Sequence, residues 1–340
     1  MPGDAVSTPT TEPPGLPLRV GARGAAVRDL HRRLAAAGFR DTGDPEHFDD
    51  HTEKALREFQ ASRRLVEDGI CARQTWAALV DADFRLGDRM IYLRSPMTRG
   101  DDVTDLQQRL GRLGFDTGWL DGIFGPDTER AVRDFQHNQG LTADGVVGRE
   151  TVAAFERLAG RSSGDKTVAE VRDVERMRDH TGVTGQRIVI GEAGGLPAIV
   201  DALARRLRLD GAEVVTLHQP DLSDQARAAN AWNGSAYVGL TLADEGQQIS
   251  YFEIDGFTSH GGRALAHACA VALQAVLETE VATQGMRLPV LRETRMPAVW
   301  CRLGPAPLVV ERAAAVTDAL RDAITAWSTI TSDDEPSSTG

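Results

Sequence analysis

The chain has 340 residues, of which 38 are Lys or Arg and 50 are Asp or Glu, for a formal net charge of −12. That acidic balance argues against nucleic acid or anionic lipid as a general partner, since both are held largely through cationic side chains. With 41% hydrophobic residues and no apolar run long enough to span a bilayer, the sequence reads as a soluble multidomain globular protein.

Residues 1–16 are rich in Pro and Thr with little to bury, and read as a disordered leader. They lack the basic and apolar segments of an export signal, so a cytoplasmic location is expected. Cys71, Cys269 and Cys301 are odd in number, far apart and in no metal-ligand spacing, which fits buried free thiols in a reducing compartment.

Residues 17–82 and 83–158 are two copies of one unit. Arg23, Gly24, Val27, Leu30, Leu34, Gly38 and Phe39 recur 76 positions on as Arg99, Gly100, Val103, Leu106, Leu110, Gly114 and Phe115. The spacing puts the aliphatic residues on one helix face, and the glycine ends the helix. At the same offset Phe48, Thr52, Ala55, Leu56, Phe59, Gln60, Leu65, Asp68, Gly69 and Thr75 match Phe124, Thr128, Ala131, Val132, Phe135, Gln136, Leu141, Asp144, Gly145 and Thr151. Each copy is expected to be a three-helix module, with Phe84-Arg85-Leu86-Gly87 and Arg89 bridging the two.

The run Asp121-Gly122-Ile123-Phe124-Gly125-Pro126-Asp127-Thr128, followed by Phe135-Gln136 and Asp144-Gly145-Val146-Val147-Gly148, closely resembles the peptidoglycan-binding domain of bacterial wall hydrolases. The first copy departs from it. Pro45-Glu46-His47-Phe48-Asp49 replaces the glycine turn, and Ala72 stands where the second copy has Gly148. The resemblance implies a glycan or stem-peptide ligand, favours the second module, and makes Asp121, Asp127 and Asn138, polar residues rimming its turns, the ligand-binding candidates. The apolar residues and glycines are core and turn formers.

Residues 159–186 read as a polar linker. From 187 to 327 short β-type runs alternate with amphipathic helices, with strands at 187–190, 213–217, 236–242, 248–253 and 297–303 and helices at 197–210, 226–231, 259–280 and 310–327. Strands separated by helices imply an α/β domain with a mostly parallel sheet. The fold class is therefore multidomain: two all-α three-helix modules, then an α/β domain. Residues 328–340 read as a disordered acidic Ser/Thr tail.

Leu291-Arg292, Thr294 and Met296-Pro297-Ala298-Val299, with Arg227-Ala228-Ala229-Asn230 and Gly194-Gly195, resemble the zinc-dependent N-acetylmuramoyl-L-alanine amidases. Membership would imply zinc held by imidazole and carboxylate ligands, with a further carboxylate handling protons. The resemblance puts the first histidine on Ala193, the second on Thr241 and the catalytic glutamate on Arg302. A loop glutamate has no counterpart, because Gly195 runs directly into Leu196-Pro197. None of these side chains suits a zinc ion, so no metal, no cofactor and no catalytic residue is assigned. Glu192 and Arg302 fall around the same former pocket, and their opposite charges could pair and close it; the alternative is that both simply reach solvent. His218, His260 and His267 suggest surface or helix-end roles, and neither a serine or cysteine nucleophile nor a phosphate-cradling glycine loop is recognisable.

Taken together, two such modules and a degenerate amidase domain resemble the CwlM-like regulators of actinobacteria. That resemblance implies a non-catalytic cytoplasmic regulator of peptidoglycan synthesis. It would bind a peptidoglycan precursor or muropeptide, act on the UDP-GlcNAc enolpyruvyl transferase, and be phosphorylated by a serine/threonine kinase. Phosphosite candidates are Ser328, Thr329, Thr331 and Ser332, with Thr8, Thr10 and Thr11 as an alternative cluster. A working amidase with an atypical metal site and a pure protein scaffold stay open as other readings.

Overall fold

The computed structural model describes residues 15–40, 43–158, 167–178 and 182–329. The leader up to residue 14, with Thr8, Thr10 and Thr11, and the tail from residue 330, with Thr331 and Ser332, lie outside the described residues. The chain divides into two compact units, residues 1–107 with 122–158, and residues 108–121 with 159–340.

In the first unit the first copy forms α1 (Ala25–Ala36), α2 (Asp50–Ser62) and α3 (Arg73–Asp81). Val27, Leu30 and Leu34 line one face of α1 and are fully buried against Phe48, Leu56 and Phe59. Each such side chain contributes about 2 kcal/mol relative to exposure. The second copy begins with α4 (Asp101–Arg112) and continues with α5 (Pro126–Asn138) and α6 (Arg149–Leu158), where Phe135 stacks on Phe155 at 4.1 Å. The expected three helices per copy are all present.

The polar positions shared by the copies have a structural cause. Gln60 is fully buried; its Nε2 donates to Asp68 Oδ1 at 2.8 Å, Ile70 O at 3.1 Å and Thr75 Oγ1 at 3.1 Å, and its Oε1 accepts from Gly69 N at 2.9 Å. Gln136 repeats the set with Asp144 at 2.9 Å, Val146 O at 3.0 Å, Thr151 at 3.2 Å and Gly145 N at 2.9 Å. One amide thus fastens the turn before the third helix, and the turn needs glycine because φ is +70° at Gly69 and +76° at Gly145. Where the first copy lacks the glycine turn, a side chain takes over the helix start. Asp49 accepts from Thr52 N at 3.0 Å in a capping box. Those hydrogen bonds, led by the Thr52 N–H, hold the Asp49 carboxyl below the usual carboxylate range. In the second copy Gly125 leads instead into Pro126 at the first helical position.

Ion pairs join the copies within this unit: Arg63 to Asp101 at 2.6 Å and Arg99 to Asp81 at 3.3 Å. The bridging stretch is fixed by Arg89, which stacks on Phe84 at 4.0 Å and reaches the buried Asp102 through two nitrogens at 2.7 and 2.9 Å.

The second unit is the α/β domain, with β1 (Arg187–Glu192), α8 (Pro197–Leu209), β2 (Glu213–Leu217), α9 (Leu222–Ala231), β3 (Ala236–Leu242), β4 (Gln247–Ile254), β5 (Phe257–Thr258), α10 (His260–Leu277), β6 (Ala282–Met286), α11 (Pro289–Glu293), β7 (Ala298–Leu303), α12 (Ala306–Glu311) and α13 (Ala313–Trp327). The sheet runs β2-β1-β3-β7-β4-β5, with β6 also on β4. The β1–β2, β1–β3, β3–β7 and β4–β6 pairs are parallel, while β4 is antiparallel to β7 and β5. One sheet face, with Ile188, Ile190, Val238, Leu240, Val299, Cys301 and Leu303, packs in one core with α8, α10 and α13. On the other, Tyr237 donates to Gln225 Oε1 of α9 at 2.6 Å. A Cβ on Gly191 would come within 1.9 Å of the Tyr237 hydroxyl, so this close approach requires glycine. The three cysteines are free and buried, and burial pushes the Cys71 and Cys269 thiols up to about 12.

Several expectations need correction. The polar linker contains a helix, α7 (Val168–Arg178), started by a reciprocal cap in which Thr167 N donates to Glu170 Oε2 and Glu170 N to Thr167 Oγ1. Its Asp173 is buried at the first turn of α10, where Oδ2 accepts from Ser259 Oγ at 3.2 Å and Gly261 N at 3.1 Å. Polar composition hid it, because the buried group is itself a carboxylate. The long helix expected to residue 280 stops at Leu277 with Glu278 at φ +57°, and β6 and α11, too short to show a period, went unread. The final helix is split into α12 and α13. Ser328 caps α13 and is buried, so the folded part reaches past residue 327.

Two outcomes test this construction. Gln136→Ala should lower stability by about 2 kcal/mol, since it strands the Gly145 N–H and several acceptors, and Gln60→Ala should do the same in the first copy; urea unfolding measures both. Burial pushes the Asp173 carboxyl above its ordinary 3.8, against the opposing pull of the Gly261 and Ser259 hydrogen bonds. Its folded state then binds the proton more tightly than the unfolded one, so its contribution to stability is full below pH 3.8 and is lost as pH rises through the raised value. Asp173→Asn should therefore flatten the fall of the melting temperature over that window.

Candidate functional site at the strand ends

The C-terminal ends of β1, β3 and β7 lie side by side. Register pairs Glu192 with Leu240, Leu240 with Cys301, and Thr241 with Arg302. Adjacent strands are about 4.8 Å apart and paired residues share a face. Ala193, which follows Glu192 and donates its N–H to Leu240 O at 3.3 Å, therefore joins Thr241 and Arg302 in one cross-strand row. The structure brings together the three positions onto which the amidase resemblance maps two histidines and a glutamate.

Next in the row, on antiparallel β4, is Gln248, paired in register with Arg302. Arg302 Nη1 donates to Gln248 Oε1 at 3.2 Å, and Gln248 Nε2 donates to Gln284 Oε1 of β6. No local pattern singles out these two glutamines, because nothing in their own segments announces that β4 runs back alongside β7. After Ala193 the chain turns through Gly194 and Gly195, at φ +123° and +93°, into α8; a Cβ on Gly195 would strike Leu242 at 2.4 Å.

These residues do not fit a zinc ion. Alanine has no donor, threonine offers a neutral hydroxyl, and the guanidinium is a permanent cation that repels a metal. Among the described residues no group of three or more His, Cys, Asp or Glu is arranged to hold a metal.

The suggested pairing of Glu192 with Arg302 is corrected by strand alternation. Glu192 lies in register with Leu240 and Cys301, whereas Arg302 lies in register with Thr241, so the two side chains leave the sheet on opposite faces. Glu192 instead accepts from Leu196 N at 3.1 Å, at the start of α8, and meets His218 Nδ1 at 3.2 Å. His218 is thereby held at the end of β2, while His267 is exposed on α10.

The module candidates are not gathered into one site. Asp127 begins α5, where it pairs with Arg130, and the exposed Asn138 ends it. A helix of 13 residues places them about 17 Å apart. Asp121 stands in the turn that precedes α5, partly exposed. Of the phosphosite candidates, Ser328 is buried with its hydroxyl donating to Thr325 O at 2.7 Å, and Thr329 is exposed, donating to Ala326 O at 2.7 Å.

The geometry makes the row repairable. Ala193→His, Thr241→His and Arg302→Glu together should place two imidazoles and a carboxylate on three adjacent strands. The triple variant is expected to bind zinc at least 100-fold more tightly than the natural chain in competition with a chromogenic chelator, and equal affinity would contradict the register.

A family model described as a putative peptidoglycan binding domain matches residues 23–79 and 99–155. The chain is 32% identical to N-acetylmuramoyl-L-alanine amidase CwlM of Mycobacterium tuberculosis, over 90% of this chain and 86% of that one. It is 31% identical to N-acetylmuramoyl-L-alanine amidase CwlL of Bacillus licheniformis over 42% of this chain and 46% of that protein. Among solved structures, the amidase Ami1 of Mycobacterium smegmatis aligns with 44% of this chain and 99% of its own, at 12% identity and a TM-score of 0.37. With two peptidoglycan-binding modules, an amidase-like α/β domain and a likeness to CwlM along nearly its whole length, the chain belongs to the CwlM family of N-acetylmuramoyl-L-alanine amidase-like proteins.

Proposed function

We propose that this protein is a non-catalytic regulator of peptidoglycan synthesis that works in the cytoplasm. It binds a peptidoglycan precursor or muropeptide and acts on an enzyme of the pathway, the UDP-GlcNAc enolpyruvyl transferase, under control of a serine/threonine kinase. The observation that carries this role is the row Ala193, Thr241 and Arg302: the strand ends of an amidase-like sheet, in register, with no side chain able to hold a hydrolytic metal. The two peptidoglycan-binding modules support the ligand class. The three buried free thiols agree with a reducing compartment. The exposed Thr329 and the tail beyond it are the proposed place of phosphorylation.

A second role, that of a working amidase, is favoured by the names of the relatives. The two separate cleanly. Purified protein with added zinc should release no stem peptide from sacculi, and should change the turnover of the enolpyruvyl transferase in a way that depends on kinase treatment. Peptide release would establish the amidase; unchanged transferase turnover, with and without the kinase, would remove the regulatory partner.

A further inference from the structure

Arg302 is the charged member of the cross-strand row. The residue is partly buried at the end of β7, and among the described residues no carboxylate lies within ion-pair distance of it. Its hydrogen-bond partner is a neutral amide, Gln248 Oε1, and its register neighbour on the other side is the Thr241 hydroxyl. Gln248 is itself oriented by Gln284, so the acceptor that aims the guanidinium is held in place.

A guanidinium presents five N–H donors in a planar fork, and the contact with Gln248 engages one nitrogen. Partial burial of a cation without a counter-charge is unfavourable, and an anion meeting the fork recovers that cost through charge-assisted hydrogen bonds. The surroundings suit such a guest. The row stands at the carboxyl ends of parallel strands, beside the point where the chain, having gone from β1 to β2 on one side, returns to β3 on the other. Open α/β sheets bind ligands at that reversal. The exposed Gly194 carries the chain away from β1 there with open space where a side chain would stand.

We infer that the former metal position has become an anion site, in which Arg302, aimed by Gln248 and flanked by Thr241, receives a carboxylate or phosphate group of a small ligand. This deepens the proposed role, resting on it for the idea that the domain binds rather than cleaves.

The test titrates the full chain by calorimetry with three probes: inorganic phosphate, N-acetylmuramoyl-L-alanyl-D-isoglutamine and UDP-N-acetylglucosamine. At least one should bind, and Arg302→Gln should weaken it tenfold or more at an unchanged melting temperature. Thr241→Glu, which sets a carboxylate in register with the guanidinium, should abolish binding by occupying the fork from within. Preference for the muramoyl peptide identifies a carboxylate site, and preference for phosphate or the nucleotide sugar a phosphate site. No binding of any probe by the folded natural chain overturns the inference, as does wild-type affinity in either folded variant. Should Arg302→Gln fail to fold, Thr241→Glu decides. Because amide cleavage is not read, detection of amidase activity would sink the regulatory role without touching this result.

Discussion

The side-chain alternation of three parallel strands governs what the second unit can do. On β1, β3 and β7 every other residue is committed to the core shared with α8, α10 and α13. A slip by one position would drive Ile190, Leu240 and Cys301 out of that core and turn residues of the opposite face, Thr241 and Arg302 among them, into it. The register is therefore held by apolar burial far from any ligand, and it dictates which side chains meet at the strand ends. Given that constraint, the identity of residues 193, 241 and 302 decides the chemistry. An alanine, a hydroxyl and a guanidinium make that surface cationic and hydrogen-bonding.

A second point of convergence is the first turn of α10. Asp173 of α7 accepts from Ser259 and Gly261, Ser259 in turn accepts from Gly262 N at 3.1 Å, and Trp327 at the end of α13 donates to Gly261 O at 3.2 Å. A carboxylate set against the amides at a helix start is favourable electrostatics, opposed here by the cost of its burial. Through these few bonds the helix preceding the sheet and the helix ending the domain are tied to the same turn.

In the first unit a buried glutamine at the equivalent position of each module plays the comparable part. Gln60 and Gln136 make the same four hydrogen bonds although the turns before α2 and α5 differ. The capping box at Asp49 and the Gly125-Pro126 start are two solutions to one problem, the unsatisfied N–H groups at a helix N-terminus. The scaffold of the first copy is thus intact where its surface has changed.

Much was legible in the sequence because it is local. The 76-residue repeat, the helix faces of Val27, Leu30 and Leu34, the glycines that need positive φ, and most of the β and α runs of the second unit follow from periodicity and turn chemistry within short windows. The absence of metal ligands at 193, 241 and 302 was also legible, since it depends on residue type alone. What the sequence left undecided is long-range. The strand order, the antiparallel return of β4 that brings Gln248 and Gln284 to Arg302, the opposite faces of Glu192 and Arg302, and the burial of Asp173 against a helix start more than 80 positions later arise only when distant segments pair. Local propensity records how a segment folds; which segment it will lie beside is fixed by the burial of the whole core.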